Sequence, residues 1–370
     1  MKITFIVKGN LEILPPLLPR ILYTADKGVD TSVICTDISQ ENAALMQEHG
    51  VKIYCTRHRQ KLLGKRNKIM DWTGFRSSCK KLLKKELADS DMLYICSADT
   101  ALALGNFFTK MPYVFQSNEL YDQFPRYRNG IKKYAVGAKA FVVPEYNRAS
   151  IFACWYGLKK LPYVIPNIPY VVSRQRNMPI SDETARNLME PLQEKRIVLY
   201  QGHIDKDRTL NSVALALKEL NDDRFCLVLM GRDHNSSVKY LKEIYPQTVH
   251  IPFVKAPRHL EITSHAHIAL LSYDRVSMNN LFCAPNKIYE YSCYSVPMIG
   301  NDIPGLRNTV EASKMGVCAA YENISSVVEA LKTIDRDYDT YQANANAFFE
   351  RSDLNGMMDA LLADLGYETR

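Results

Sequence analysis

The chain has 370 residues, which is more than one hydrophobic core usually supports, so two domains are expected. Hydrophobic residues make up 46% of the chain and charged residues 24%, and these ordinary globular values exclude a disordered or fibrous protein. The net charge of +7 is concentrated in residues 57–85, which hold eleven Lys or Arg residues against the single acid Asp71, so a local anionic partner is expected.

The first half of the chain alternates short apolar runs with helix-forming stretches. The runs occupy residues 3–7, 31–35, 51–55, 92–96, 113–115 and 141–143. This alternation is typical of βαβ units and predicts a parallel sheet with helices on both faces.

The opening MKITFIVKGN indicates a strand rather than a charged leader, and no run approaches the roughly 18 apolar residues of a membrane span, so a cytoplasmic location is expected.

The basic window, residues 57–85, interleaves its cations with apolar and aromatic side chains such as Ile69, Trp72 and Phe75. A solvated helical face is the ordinary interpretation of such a charge run. Cations mixed with apolar groups also suit a surface that lies on anionic lipid, at about 1 kcal/mol for each cation near the membrane. The residues alone leave both interpretations open, and we expect no nucleic-acid partner because no recognition motif accompanies the charge.

A second series of apolar runs repeats the rhythm at residues 197–200, 226–230, 250–253, 268–271, 296–299 and 317–320. The polar stretch between the two series, with prolines near its start, predicts a boundary near residue 175. The expected fold class is therefore α/β, with two Rossmann-like doubly wound parallel sheets facing each other across a cleft. Residues 1–175 would form the first domain and 176–339 the second. Residues 340–370, broken at Gly356, predict two terminal helices that complete the first domain.

The segment APNKIYEYSCYSVPMIG, residues 284–300, carries the most informative chemical pattern of the chain. Pro285 suits the first turn of a short helix, and the free backbone N–H groups, the helix dipole and the Lys287 ammonium would all favour a phosphate there. One turn later, Glu290 is placed where a carboxylate could accept hydrogen bonds from the vicinal hydroxyls of a ribose. The pattern favours an anionic ligand.

This segment resembles the donor domain of the retaining GT-B glycosyltransferases of family 4, in which P-x-K-x-x-E-Y precedes a small residue and Pro-Val. The resemblance covers residues 197–321 through LYQGHIDKDRTLNSVALAL, LVLMGRD, HIALLSYD and the block from 285 to 305. Each motif alone is weak, whereas the four together are fairly specific. The resemblance implies the GT-B fold and a nucleoside diphosphate sugar, expected to be a UDP or GDP sugar, as the donor.

Carried over residue by residue, the resemblance assigns donor binding to the second domain. Gly202 would be the tight turn through which backbone amides approach the diphosphate. Arg208 would match the family's basic phosphate ligand and neutralise the leaving pyrophosphate, with Lys206 as a nearby substitute. Glu290 would bind the ribose. The full donor-binding set is Gly202, Lys206, Arg208, Asn286, Lys287 and Glu290, of which Arg208 and Glu290 are assigned to catalysis.

In the first half the resemblance is thinner and rests on VFQSNELYDQF, which is similar to a strand end of the family's acceptor domain. Asn118 stands where many relatives have a His that contacts the transferred sugar, so Asn118 is the third residue assigned to catalysis. Glu119 beside it and Gly9 after the first strand would contact the acceptor, since a glycine lets a ligand approach the backbone closely.

Two positions depart from the family pattern. Ser295 stands where relatives usually have a glycine, which is a minor change. Relatives often carry two glutamates eight positions apart, and the partner of Glu290 at that spacing is Phe282, which cannot accept a hydrogen bond from the donor sugar. Asn279 or Asn280 could serve instead. The resemblance implies a retaining transfer, whereas Phe282 leaves an inverting one open.

D-x-D patterns occur at residues 89–91, 205–207 and 335–337, and such repeated matches in one chain indicate chance rather than a divalent metal site. Donors in this family are stabilised by amides and basic side chains, so the resemblance implies no required metal and no cofactor. The nine cysteines are scattered without a C-x-x-C pair, as expected for reduced thiols in the cytoplasm.

The expected function is transfer of a sugar to a saccharide or lipid-linked saccharide acceptor during synthesis of a cell-surface glycan such as a capsule, O-antigen or exopolysaccharide. This role rests on analogy with the family. Relatives often dock on the membrane to reach such acceptors, so the resemblance favours the anionic lipid surface, at the inner face of the cell membrane, as the partner of residues 57–85. Two alternatives stay open. A nucleotide-sugar epimerase shares the GT-B fold but needs acid and base side chains at the donor, and a non-catalytic membrane-binding protein could retain the fold, which Phe282 favours.

Overall fold

The computed structural model describes residues 1–56, 58, 61–62, 65–205 and 210–367. The chain packs as two compact units. Unit 1 comprises Met1–Pro169 and Asp353–Arg370, and unit 2 comprises Tyr170–Ser352. The division falls between Pro169 and Tyr170, a few residues before the predicted boundary near residue 175.

Unit 1 is a parallel sheet covered by helices. Its strands are β1 (Lys2–Ile6), β2 (Asp30–Cys35), β3 (Lys52–Cys55), the short pair β4 (Lys61–Leu62) and β5 (Lys65–Arg66), then β6 (Met92–Ile95), β7 (Tyr113–Gln116), β8 (Ala140–Val143) and β9 (Tyr163–Val164). The helices are α1 (Leu17–Asp26), α2 (Gln40–Glu48), α3 (Lys68–Lys85), α4 (Ala98–Leu104), α5 (Pro125–Gly137) and α6 (Tyr146–Tyr156). The seven-stranded sheet has the order β3-β2-β1-β6-β7-β8-β9, and β4 and β5 form a separate antiparallel pair.

Unit 2 repeats the architecture with a parallel sheet of six strands. The strands are β10 (Arg196–Gln201), β11 (Phe225–Met230), β12 (Thr248–Ile251), β13 (Ile268–Leu271), β14 (Met298–Asn301) and β15 (Gly316–Ala319). The helices are α7 (Glu183–Met189), α8 (Leu210–Leu220), α9 (Ser237–Ile244), α10 (His259–Thr263), α11 (Met278–Leu281), α12 (Asn286–Ser292), α13 (Pro304–Leu306), α14 (Ile324–Arg336) and α15 (Tyr338–Arg351). The strand order is β12-β11-β10-β13-β14-β15.

The four central strands of unit 2, β10, β11, β13 and β14, are buried on both faces, as the continuous apolar runs predict. In β10, Ile197 and Leu199 belong to one core and Val198 and Tyr200 to the other. Successive side chains of a strand point to opposite faces, so helices must cover both sides of this sheet.

Both sheets have a topological switch point beside their first strand. In unit 1 the chain moves from β1 to β2 and β3 on one side and places β6 on the other, and in unit 2 β10 lies in the same way between β11 and β13. Ligands of doubly wound sheets bind at the carboxyl ends of the strands flanking such a point. The candidate site residues of each unit are therefore expected near the ends of β1 and β6, or of β10 and β13.

The C-terminal helices are divided between the two units. Helix α16 (Leu354–Asp364) belongs to unit 1, where Lys27 pairs with Asp359 at 3.0 Å and Tyr163 hydrogen bonds to Asp364. Helix α15 lies in unit 2, so the expectation that all of residues 340–370 complete the first domain is not met for this helix. The two helices separate before Asp353, whose carboxylate accepts a hydrogen bond from the Gly356 amide, and Gly356 is the third residue of α16 rather than a break.

Among the helices that the structure describes, none combines the length and the apolar character that a transmembrane span requires.

Candidate functional site

Two glycines bring the ends of β10 and β11 into close backbone contact. Gly202 and Gly231 have φ values of +136° and +146°, which side-chain-bearing residues rarely adopt. The Gly202 amide donates a hydrogen bond to the Met230 carbonyl at 2.9 Å. A Cβ atom on Gly231 would lie 1.9 Å from the Gly202 carbonyl oxygen, so only glycine fits there. Gly202 was singled out from the sequence, whereas Gly231 was not.

The ammonium group of Lys287 lies against Gly202. A Cβ atom on Gly202 would stand 2.8 Å from the Lys287 Nζ, so the glycine leaves room for the cation. The same Nζ lies 5.1 Å from the ring centre of Tyr200 and 5.9 Å from that of Tyr273. Tyr200 is in β10 and Tyr273 closely follows β13, so this cation lies at the switch point of unit 2.

Glu290 lies in a buried polar network on the same helix as Lys287. Glu290 is only 4% exposed. Its Oε2 accepts a hydrogen bond from Gln201 Nε2, and its Oε1 lies 3.5 Å from His259 Nε2. The Gln201 Oε1 in turn accepts from the Thr263 hydroxyl at 2.8 Å. Glu290 is therefore not a solvated residue on a helix surface. Its carboxylate contacts side chains of β10 and α10.

The other residues of the block take these positions. Asn286 is the first residue of α12, after Pro285 in extended backbone with φ −74° and ψ 139°. Phe282 directly follows α11 and is half-buried. Asn280, proposed as a substitute for the missing glutamate, donates its amide to Asp274 at 2.7 Å. Arg208 and Lys206, the two predicted phosphate ligands beyond Gly202, lie outside the described residues.

A pair of histidines next to Gly202 was not predicted from the sequence. His203 Nδ1 and His234 Nε2 are 3.1 Å apart, after the ends of β10 and β11. The His203 backbone is fixed by the Tyr200 hydroxyl, which donates to its carbonyl oxygen at 2.9 Å. Their position shortly after two neighbouring strands is the signal that the sequence offers, since the carboxyl ends of parallel strands meet at one edge.

A cavity of about 400 Å³ opens between the beginnings of α8 and α9. Among the described residues its lining is Asp205, Leu210, Asn211, Asn235, Ser236, Ser237, Tyr240 and Leu241. None of these residues is Gly202, Lys287 or Glu290. The residues that carry the chemical argument are therefore those at the strand ends, and not the described residues that line this cavity.

In unit 1, Asn118 and Glu119 follow β7 and are held by protein partners. The Asn118 side-chain oxygen accepts a hydrogen bond from Gln116 at 2.8 Å, and its backbone carbonyl accepts one from Arg148. Arg148 also pairs with the Glu119 carboxylate at 3.3 Å. Gly9, after β1, has a φ of +144° and belongs to the same carboxyl edge of the sheet.

A buried charge cluster occupies the switch point of unit 1 and was not predicted. The Lys8 Nζ lies 2.9 Å from Asp71 and 3.1 Å from Asp99, and His58 Nε2 is 2.8 Å from the other oxygen of Asp71. Burial alone would raise the pKa of Asp71, but hydrogen bonds from Lys8 and His58 outweigh it and lower that pKa. The hydroxyl of Tyr127 donates to Asp99 at 2.8 Å.

Two of the D-x-D patterns are engaged in ion pairs. Asp89 pairs with Lys2 at 2.6 Å, and Asp335 pairs with Arg196. Asp207 of the third pattern lies outside the described residues. Within the part of the chain that the structure describes, no three His, Cys, Asp or Glu side chains form a group that could hold a metal ion.

No known protein-family model and no curated protein matches the sequence. Solved structures match along the whole chain. HepE of Anabaena, in complex with UDP-glucose, has a TM-score of 0.70 at 14% identity over 98% of this chain and 99% of its own. Sucrose-phosphate synthase of Thermosynechococcus elongatus has a TM-score of 0.71 at 14% identity over 99% of both chains. A putative UDP-N-acetylglucosamine 2-epimerase of Listeria monocytogenes has a TM-score of 0.65 at 11% identity over 100% of this chain and 98% of its own.

At these identities the similarities show the fold. Two parallel α/β units, matched over their whole length by these structures, confirm the predicted GT-B class with two Rossmann-like units. Membership of glycosyltransferase family 4 and the roles of the individual site residues stay predictions.

Proposed function

We propose that the protein is a glycosyltransferase whose unit 2 binds a nucleoside diphosphate sugar as the donor. The observation that carries the proposal is the Lys287 ammonium, which lies against the backbone of Gly202 at the switch point and on the same helix as buried Glu290. A cation beside a glycine turn suits a diphosphate, and a nearby carboxylate suits a pentose. HepE, of the same fold, is bound to UDP-glucose, which supports a uridine nucleotide here.

The chemistry required of these residues is mainly electrostatic. The bond between the anomeric carbon and the diphosphate oxygen breaks, the acceptor oxygen forms the new bond to that carbon, and the acceptor proton passes to the departing diphosphate. Negative charge grows on the departing diphosphate, and Lys287 and Arg208 would stabilise it, at about 3 kcal/mol for each well-placed group. Glu290 would hold the ribose. The resemblance implies a retaining transfer, and we propose that outcome even though Phe282 replaces a glutamate of the family pattern. A product whose anomeric configuration is opposite to that of the donor sugar would contradict it.

The proposal is tested by the affinity for UDP, measured by calorimetry. A charge-assisted hydrogen bond contributes about 1.5–3 kcal/mol, so Lys287→Ala and Arg208→Ala should each weaken binding tenfold or more. Lys218→Ala, which removes an exposed cation of α8 in the same unit, is the matched control and should bind as the wild type. Unchanged UDP affinity in Lys287→Ala would remove the support for the donor site.

For the acceptor, we propose a saccharide or lipid-linked saccharide bound by unit 1 through Gly9, Asn118 and Glu119. Gln116 and Arg148 hold Asn118 and Glu119 in fixed positions, which a polar recognition surface needs. The product would be a cell-surface glycan made in the cytoplasm.

The transfer is proposed to need no metal, so activity should persist in a chelating buffer, and loss of activity there would contradict the proposed metal independence.

A nucleotide-sugar epimerase is the second candidate, and the similarity to the Listeria protein favours it. His203 and His234 at the strand ends supply side chains able to exchange protons. Incubation of UDP-sugars without an acceptor separates the two functions. A transferase leaves the configuration of the free donor unchanged, whereas an epimerase converts it.

For the basic window, we propose binding to anionic lipid through α3. Asp71, Phe75, Cys79 and Leu83 form the buried stripe of this helix. Away from this stripe, the helix exposes Ile69, which is 77% exposed, and four lysines: Lys80, Lys81, Lys84 and Lys85. Attraction of about 1 kcal/mol for each cation would hold this face on an anionic leaflet.

Sedimentation with phosphatidylglycerol vesicles tests the lipid proposal. Replacing Lys80, Lys81, Lys84 and Lys85 by Glu should abolish co-sedimentation, while replacing Lys239 and Lys242 on α9 should not. Equal binding to neutral phosphatidylcholine vesicles would contradict it. If vesicles are bound but no nucleotide is, the non-catalytic alternative would be favoured.

A further inference from the structure

Two cysteine thiols meet at the carboxyl ends of adjacent strands in unit 1. Cys35 is the last residue of β2 and Cys55 the last residue of β3, and they are register partners in the parallel ladder. Their sulfur atoms are 3.9 Å apart. Neither thiol takes part in the donor or acceptor chemistry proposed above.

The two thiols differ in access to solvent. Cys35 is fully buried, whereas Cys55 is exposed on β3, the edge strand of the sheet. An oxidant can therefore reach Cys55 first, with Cys35 directly behind it. Burial and the neighbouring Cys55 raise the pKa of the Cys35 thiol, so Cys35 suits the slower, resolving role.

We propose that Cys35 and Cys55 are a modification site that forms a reversible intramolecular disulfide when the protein meets a small-molecule disulfide such as oxidised glutathione. The backbone geometry permits the bond. Neighbouring strands are spaced about 4.8 Å apart, which lies within the Cα separations of about 4.4–6.8 Å that disulfides span. Rotation about the two Cα–Cβ bonds must shorten the sulfur separation from 3.9 Å.

The reaction balances in two exchange steps. The Cys55 thiolate attacks one sulfur of oxidised glutathione, forming a mixed disulfide and releasing one glutathione thiolate. The Cys35 thiol, as it loses its proton, attacks the Cys55 sulfur, which forms the internal disulfide and releases the second glutathione. The protein loses two hydrogens and the oxidant gains them, and excess reduced glutathione reverses the sequence.

The disulfide would tie the chain where it leaves β2 and β3. The Thr56 amide already donates to the Cys35 carbonyl at 2.8 Å. The next residue after Cys35, Thr36, donates its amide to the Gly9 carbonyl at 3.0 Å and accepts from the Gly9 amide at 3.1 Å through its hydroxyl. Oxidation would therefore restrain the turn that contains Gly9. The effect on acceptor binding rests on the proposed function, whereas the disulfide itself does not.

The full-length protein, equilibrated in buffers of increasing ratio of oxidised to reduced glutathione, provides the test. Thiols counted after denaturation should fall from nine to seven in one step. Peptide mapping should show Cys35 joined to Cys55. Hydrogen exchange at residues 36–39 should slow on oxidation and recover after reduction.

Two variants make the result specific. Cys55→Ser, a change at an exposed edge position, should lose the internal disulfide, and Cys154→Ser, which removes the exposed cysteine of α6, should keep it. A wild-type protein that stops at glutathionylated Cys55, or that retains both thiols in oxidising buffer, would overturn the proposal. A disulfide that forms without slowing exchange at residues 36–39 would refute its coupling to the Gly9 turn while leaving the donor site of unit 2 untouched.

Discussion

Gln201, the last residue of β10, is the side chain that ties Glu290 to the sheet. Its amide donates to the Glu290 carboxylate and its oxygen accepts from Thr263, so one side chain joins β10, α10 and α12. The sequence predicted that Glu290 matters but could not predict this partner, because Gln201 and Glu290 are 89 residues apart and no local pattern links them. His259 was missed for the same reason.

Replacing Gln201 by Leu should leave a buried carboxylate oxygen without its donor. A group left unsatisfied in this way costs about 1–3 kcal/mol, whereas removing both partners costs less than the two single changes together. We therefore expect Gln201→Leu and Glu290→Leu to be non-additive in the free energy of unfolding, measured in urea. Additivity within about 0.5 kcal/mol would show that the two side chains do not interact.

Asp71 should make the stability of unit 1 depend on acid pH. Its folded-state pKa is lowered from the ordinary value of 3.8, so its stabilising contribution is present above about pH 4 and is lost as the pH falls through the folded-state value. Asp71→Asn should cost about 1–3 kcal/mol at pH 7, and the difference from the wild type should shrink below pH 3.8. The exposed Asp339→Asn serves as control, and a pH-independent difference for Asp71→Asn would contradict the assignment.

At the scale of elements, most of the apolar runs agree with a strand to within one residue at each end. Two strands, β12 and β14, are displaced from their runs by two residues, and a proline explains each displacement. The run at 250–253 predicts a strand that would include Pro252, whereas β12 ends at Ile251. The run at 296–299 includes Pro297, whereas β14 begins at Met298. Proline has no N–H to donate to the ladder, so each strand stops or starts beside it.

The junction of β10 and β11 requires glycine at position 231. A Cβ atom at this position meets the Gly202 carbonyl oxygen at 1.9 Å, and φ is +146°. Gly231→Ala should therefore cost about 1–3 kcal/mol of stability and weaken UDP binding, because the strand ends must move apart.

Thermal unfolding checks this prediction against a second Gly→Ala change. Gly130 lies in α5, where a new Cβ would meet the flexible end of Leu102 at 3.1 Å, so Gly130→Ala should keep or raise the melting temperature. A Gly231→Ala protein that melts with the wild type would show that this contact is not essential.

At the scale of the whole molecule, the repeated βαβ rhythm was sufficient to predict two doubly wound units. It could not predict that α15 packs in unit 2 while α16 packs on α1 of unit 1, because the contacts of α16 with Lys27 and Tyr163 join distant parts of the chain. The same holds for Lys8, whose partners Asp71 and Asp99 come from two later helices. Local pattern predicts elements, and only packing reveals these long-range partners.

The donor site is the central claim, and thermal stabilisation by a panel of nucleoside diphosphate sugars tests it most directly. A ligand at 100 times its dissociation constant adds about 2.7 kcal/mol to the stability of the protein that binds it. We predict that a UDP-sugar raises the melting temperature of the wild type and of Lys218→Ala but much less that of Lys287→Ala. No stabilisation by any member of the panel, or equal stabilisation of Lys287→Ala, would contradict the account.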